Sequence, residues 1–188
     1  ILPDESGDAA LKADRIIGVF RQPTFIDKQI KMFVAVKSGA AYQLYTYTYE
    51  QKTSGSDIIT CVDKKDITSW AGGMSDDCKM FTNGVEVPLN YLYIAKGNDL
   101  WRTSYESQAD PKAVKSFPAP ITAAEVVIST PNTISENTKE LYTAIFTYDT
   151  SAKTSKMYVL DARTDDLKAY SEVETAIPGK VVRYLANQ

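Results

Sequence analysis

The groups in this chain that could do chemistry are carboxylates, tyrosines and lysines, because its 188 residues include no histidine. Without imidazole there is no Ser-His-Asp or Cys-His nucleophile pair, no histidine-held zinc and no imidazole acid–base step. Carboxylates are plentiful, at 24 Asp and Glu. Glycoside hydrolysis needs two of them at a set separation in space, which a linear sequence does not state. The acidic clusters are Asp76-Asp77, Asp149 in "TYDTS", and Asp161, Asp165 and Asp166 in "DARTDD". A calcium loop wants several oxygens at close spacing, a glycine for the turn and a closing glutamate. "DARTDDL" has neither the glycine nor the glutamate, so these clusters read as solvated turns. No phosphate-cradling glycine loop, nucleotide fingerprint or metalloprotease motif occurs. The sequence therefore assigns no catalytic residue, no metal ligand and no cofactor.

Ligand-binding candidates are aromatic. Tyr45, Tyr47 and Tyr49 in "LYTYTY" share one face if the segment is a strand, with Leu44, Thr46 and Thr48 on the other. Such a ladder could be a platform for a sugar ring or a peptide. The competing use, and the preferred one, is filling the space between two sheets, each hydroxyl reaching an edge. Trp70, in "ITSWAGGMSDD", sits in a glycine-rich loop and is the best single candidate for carbohydrate stacking; plugging the end of a core is the commoner use of such a ring. Trp101 reads as a strand residue packed in the core. Cys61 and Cys78 are the only cysteines. They are a candidate disulfide in an oxidising compartment and otherwise two small buried hydrophobes.

The residues around these candidates describe a globular chain. Hydrophobic residues make up 44% and charged residues 24%, which excludes disorder throughout. A net charge of -3 without a basic run leaves no electrostatic footprint for nucleic acid. No apolar run approaches the roughly 20 residues of a membrane-spanning helix. The opening "ILPDESGDAALKAD" has no basic or apolar leader segment, and reads as a mature or truncated start. Residues 1–14 are expected to be a flexible or short helical lead-in.

From Arg15 onward, short apolar and aromatic runs alternate with clusters of Gly, Pro, Asn, Asp and Ser, the pattern of an all-β domain. The runs follow a four-beat cycle. Its second beat recurs as "MFVA" at Met32, "LYIA" at Leu92 and "LYTA" at Leu141. Its third recurs as Leu44-Tyr45, Leu100-Trp101 and Met157-Tyr158. A unit of four strands repeating every 40 to 60 residues or so is the size of a propeller blade. Blades pack on both faces, so their strands carry bulky residues on both sides, as in "KMFVAV" and "YTAIFTY". Small residues such as Ala35, Ala95 and Ala144 would let neighbouring sheets approach. "KSGA", "GND" and "DTSAKTS" read as hairpin turns.

On "LYIAKGNDLWRTSYE" and the stretch from "LYTAIFTYDTSAKTSKMYVLDARTDD" to "GKVVRYLA", the chain resembles the β-propeller family, and within it the propeller-like secreted lipoproteins of gut Bacteroidetes. It has no WD dipeptide, kelch double glycine or Asp-box. The expectation is one all-β domain over residues 15–188, in blade-like repeats at about 15–77, 78–123 and 124–188. First-beat strands are expected near Arg15, Cys78, Ala124 and Lys180, giving three full cycles where closed propellers typically need at least four blades. A partial propeller, completed by self-association or by the remainder of a larger chain, is therefore expected; a two-sheet β-sandwich is the alternative. The resemblance implies a secreted or cell-surface module, periplasmic or outer-membrane-anchored, that binds a glycan or a protein without catalysis. The alternative function is a carboxylate-dependent glycan-active enzyme, or a fragment of one.

Overall fold

The computed structural model describes residues 2–21, 29–82, 91–129, 140–161, 167–172 and 176–182. The chain is all-β, and its strands form three antiparallel sheets of blade-like, up-and-down order. The first contains β1 (Arg15–Arg21), β2 (Gln29–Ser38), β3 (Ala41–Glu50) and β4 (Ile58–Asp66). The second contains β5 (Lys79–Thr82), β6 (Tyr91–Lys96), β7 (Asp99–Ser104) and β8 (Lys112–Ser116). The third contains β9 (Ile121–Ser129), β10 (Glu140–Asp149), β11 (Thr154–Asp161) and β12 (Leu167–Glu172), and the short β13 (Ile177–Pro178) also pairs with β11. In each sheet the strands lie side by side in chain order, as hairpin connections require. The recurring tetrapeptides fall on β2, β6 and β10, and the third-beat pairs on β3, β7 and β11.

Central strands are buried on both faces. Phe33 to Val36 on β2, Leu44 to Tyr47 on β3, Leu92 to Ala95 on β6 and Thr143 to Thr147 on β10 are consecutive buried residues. A strand with one solvated face would alternate instead. Ala35, Ala95 and Ala144, one in each sheet, are all buried. The outer strands differ: on β1, Ile16 and Val19 are exposed, as are Ile58 and Val62 on β4. Val62 is the extra residue of a bulge, since Thr46 faces Asp63 while Tyr47 faces Cys61. Bulges and charged residues such as Asp63, Lys64 and Lys65 blunt an edge strand against unwanted pairing.

The hairpin turns are short. Ser38 pairs with Ala41 around Gly39, whose φ of 60° suits a tight turn. Gly97 and Asn98 join β6 to β7, and residues 150–153 join β10 to β11, where Asp149 faces Thr154.

The chain divides into two compact units: Ile1–Ile94 with Thr103–Pro111, and Ala95–Arg102 with Lys112–Gln188. In the first, Val34, Val36, Tyr45 and Tyr47 form a core cluster joined by Leu2, Leu11, Met32, Ile59 and Cys61. In the second, Ala123, Ala144 and Phe146 are packed by Met157, Ile177 and Val181.

Residues 2–14 contain no helix. They form a small loop closed by the Pro3–Ala10 bridge, with Leu11 N donating to Leu2 O at 2.9 Å. Two leucines on the first core cluster, and the Tyr47 hydroxyl donating to Pro3 O at 2.8 Å, fasten it. The first-beat strand expected at Lys180 does not begin there. Residues 180–182 are irregular, and the rest of "KVVRYLANQ" lies outside the described residues.

Candidate functional site

The structure encloses several of the sequence candidates. Trp70 is only 2% exposed, so neither ring face is open to a sugar. Its loop turns through a short 3-10 segment, Trp70–Gly72, in which Ala71 and Gly72 take φ 53° and 70°, and Gly73 follows at 103°. Three left-handed residues in a row reverse the chain, which is what the two glycines are for. The Lys65 ammonium lies 5.8 Å from the Trp70 ring centroid. The loop is stapled by Asp76, which accepts from Lys37 Nζ at 2.8 Å and from the Tyr42 hydroxyl at 2.6 Å. Those donors hold the Asp76 carboxyl below its ordinary range, Lys37 contributing most. The sequence signal for burial lay in the apolar flanks: Ile67, Ala71 and Met74 are buried in the same loop.

The tyrosine ladder is likewise enclosed. Tyr45 is 5% exposed, Tyr47 is fully buried, and their rings stack at 6.2 Å. Burial pushes the Tyr47 hydroxyl well above the ordinary phenol range. Tyr49 is half-buried and donates to Asp57 Oδ2 at 2.6 Å. Tyr45 and Tyr47 belong to the first core cluster. Trp101 on β7 is only partly buried, not a full core residue. Cys61 and Cys78 are both free, so the candidate disulfide is not formed. Cys78 is buried, its sulfur accepting from Ser75 N at 3.4 Å; Cys61 is half-buried, its thiol raised by desolvation. Among the described residues no group of three or more His, Cys, Asp or Glu could hold a metal. Asp165 and Asp166 lie outside the described residues.

A concavity with polar chemistry lies in the second unit and was not legible in the sequence. It is a cleft of about 440 Å³ between the β8–β9 connection and the β10–β11 hairpin. Its wall is a cross-strand ladder: Ile145 faces Tyr158, Thr147 faces Lys156, and Asp149 faces Thr154. Alternation puts Thr147 and Asp149 on one face of β10 and Thr154, Lys156 and Tyr158 on the same side of β11. Phe117 closes the base, its ring 5.0 Å from that of Tyr158. Lys115, Ser116 and Pro118 complete the opposite side.

That opposite side is firmly held. Asn98, in the Gly-Asn turn between β6 and β7, accepts at its carbonyl from Phe117 N at 2.9 Å and donates through Nδ2 to Phe117 O at 3.0 Å. Tyr148 N donates to Pro120 O at 2.9 Å, and Ile121 N to Gly97 O at 2.8 Å. The connection can keep its shape without a ligand because its backbone groups are already paired. Asp149 Oδ1 accepts from Ser151 N at 2.8 Å, Ser151 Oγ at 2.5 Å and Ala152 N at 3.1 Å. The Ser151 hydroxyl leads in holding its carboxyl below the ordinary range. Asp149 is therefore an anion and an acceptor at neutral pH, and a poor proton donor.

No protein-family model matches the chain, and no curated protein does. Among solved structures it is similar to an ACO/RPE65 chimera at 16% identity and a TM-score of 0.44, covering 89% of this chain and 39% of that one. It is similar also to cobalt-substituted Synechocystis ACO at 16% identity and a TM-score of 0.43, covering 92% and 38%. A Synechocystis apocarotenoid oxygenase (ACO) mutant matches at 16% identity and a TM-score of 0.41, covering 87% and 37%. The chain thus spans less than two fifths of the length of these proteins, and a likeness this loose carries no argument about activity or ligand.

Proposed function

We propose that this chain is a non-catalytic binding module built of blade-like sheets, and that it takes a glycan in the cleft between the β8–β9 connection and the β10–β11 hairpin. The observation that carries the reading is the lining of that cleft: hydroxyls of Ser116, Thr147, Thr154 and Tyr158, two ammonium groups and one ionised carboxylate over an apolar base. Hydroxyl-rich ligands are held by such mixed donors and acceptors, and the volume falls within the ordinary range for small-ligand sites. A protein partner would ask for a broad surface instead.

Carboxylate-dependent hydrolysis is less well supported. It needs a pair of carboxyl groups, one with a raised pKa. The described lining offers Asp149 alone, and its pKa is shifted the other way. Assembly of the sheets into a propeller with other copies or other chain segments belongs to the same proposal, as does a secreted or cell-surface setting; both rest on the repeat and on the sequence resemblance.

The test is a glycan array read with the parent chain and with Thr154→Val, whose loss of a hydroxyl removes one polar contact. Binding to a defined glycan subset, weakened several-fold in the variant, is expected. Silence across neutral and acidic glycans would overturn the reading.

A further inference from the structure

We propose that the inner end of the cleft is an acetamido subsite, so that the glycan it takes carries an N-acetylated sugar; this rests on the cleft being a glycan site. The lining is graded with depth. Pro118, Asp149, Ala152 and Lys156 at the rim are exposed, whereas Phe117, Thr147 and Tyr158 are 4%, 2% and 6% exposed. The inner end is therefore an aromatic surface beside two hydroxyls, with Ala119 half-buried on the same connection as Phe117.

Those two hydroxyls point to a ligand. Among the described residues neither the Thr147 nor the Tyr158 hydroxyl has a hydrogen-bond partner, although both residues are more than nine-tenths buried. Neither hydroxyl is sealed in the core. The described side-chain atoms that lack both a partner and open surface are Gln108 Oε1 and Thr143 Oγ1. The Thr147 and Tyr158 hydroxyls thus keep open surface, and that surface faces the cleft which both residues line. Enclosed polar groups are nearly always paired, so water satisfies these two until a ligand group replaces it.

Strand register brings the pair together. Ile145 faces Tyr158 and Thr147 faces Lys156, so Thr147 and Tyr158 are diagonal neighbours on one face of β10 and β11. The Tyr158 ring rests 5.0 Å from that of Phe117, tilted by 56°. Phe117 is itself clamped through its N–H and its carbonyl by Asn98. Both hydroxyls therefore project from a fixed base, which lowers the cost of ordering them around a ligand.

A group that displaces the water at this end gains affinity only if it renews both hydrogen bonds. An acetamido group does so: its carbonyl oxygen accepts from one hydroxyl and its N–H donates to the other, since a hydroxyl can play either part. Its methyl group covers apolar surface of Phe117 and Ala119 that a bare ring hydroxyl would leave against water.

One buried methyl group and one added hydrogen bond together give about a ten-fold preference. The experiment is a calorimetric titration of the full chain with a chito-oligosaccharide and with the matched cello-oligosaccharide, the same backbone with a hydroxyl in place of each acetamido group. The expected result is roughly ten-fold tighter binding of the chito-oligosaccharide. Tyr158→Phe and Thr147→Val each delete a hydroxyl while keeping the shape, and each should narrow that preference several-fold; thermal melting of both variants confirms the fold. Equal binding of the two sugars by the parent chain, or tighter binding of the cello-oligosaccharide, would overturn this inference and leave the glycan reading standing. A preference unchanged in both variants would overturn the placing of the acetamido group on these hydroxyls. Binding of neither sugar would overturn the inference, and with the array also silent it would overturn the glycan reading as well.

Discussion

Replacing Trp70 with alanine separates two roles for the most prominent aromatic side chain in the sequence. The ring is 2% exposed, so the substitution removes its whole buried surface and leaves a void that its neighbours fill only in part. For an enclosed large aromatic side chain those two effects together cost about 3–5 kcal/mol. The Lys65 ammonium 5.8 Å from the ring adds a cation–π contact worth roughly 0.5–1 kcal/mol, within that total. In a chain of this length each kcal/mol moves the thermal midpoint by about 2–4 °C, so a fall of about 6–20 °C is expected. The assay is thermal unfolding followed by far-ultraviolet ellipticity, with the fluorescence of the remaining Trp101 as a second probe. Trp70→Phe, which keeps a ring in the space, should lose less. Glycan affinity at a temperature where Trp70→Ala stays folded should match the parent. A variant as stable as the parent that no longer binds glycan would refute the argument, because it would put the ring at the ligand and not in the core.

Gly18 tests a close approach within the first unit. A Cβ there would meet Met80 Cβ and the Met80 carbonyl oxygen, both at 3.2 Å, and a backbone oxygen does not yield cheaply. Gly18→Val should therefore destabilise by about 1–3 kcal/mol, read as a lower urea midpoint; an unchanged midpoint would reject the contact. Acid stability tests the carboxylate staples. Asp57, Asp76 and Asp149 lie below the ordinary 3.8, held there chiefly by the Tyr49 hydroxyl, the Lys37 ammonium and the Ser151 hydroxyl respectively. Depressed folded values mean that the unfolded chain binds more protons in acid. The stability they contribute is present above the unfolded value and disappears as pH falls through the folded ones. Stability measured by urea titration should hold steady above about pH 5 and drop below pH 4, less steeply in Asp149→Ala. A rise in stability on acidification would contradict the assignment.

The sequence by itself determined the strand content and the repeat. Tyrosine, threonine and branched residues favour a pleated backbone, and turn residues cut it at short intervals, so local chemistry alone names the hairpins at Gly39 and Gly97. The recurrence of "MFVA", "LYIA" and "LYTA" was legible because strands buried on both faces accept the same bulky and small residues at the same places. Tertiary structure decided everything about exposure. Trp70 and the tyrosine ladder have the same composition whether they face a ligand or a core; only enclosure, at 2% exposed for Trp70 and complete burial for Tyr47, separates the two uses. The proposed site depends on long-range pairing in the same way. Thr147 meets Lys156 through the β10–β11 register, and Lys115 takes its place through a bulge opposite Leu100. None of these three residues is unusual in its own neighbourhood of sequence. A register is a property of two strands at once, and a shift of a single residue would turn the whole ladder to the other face.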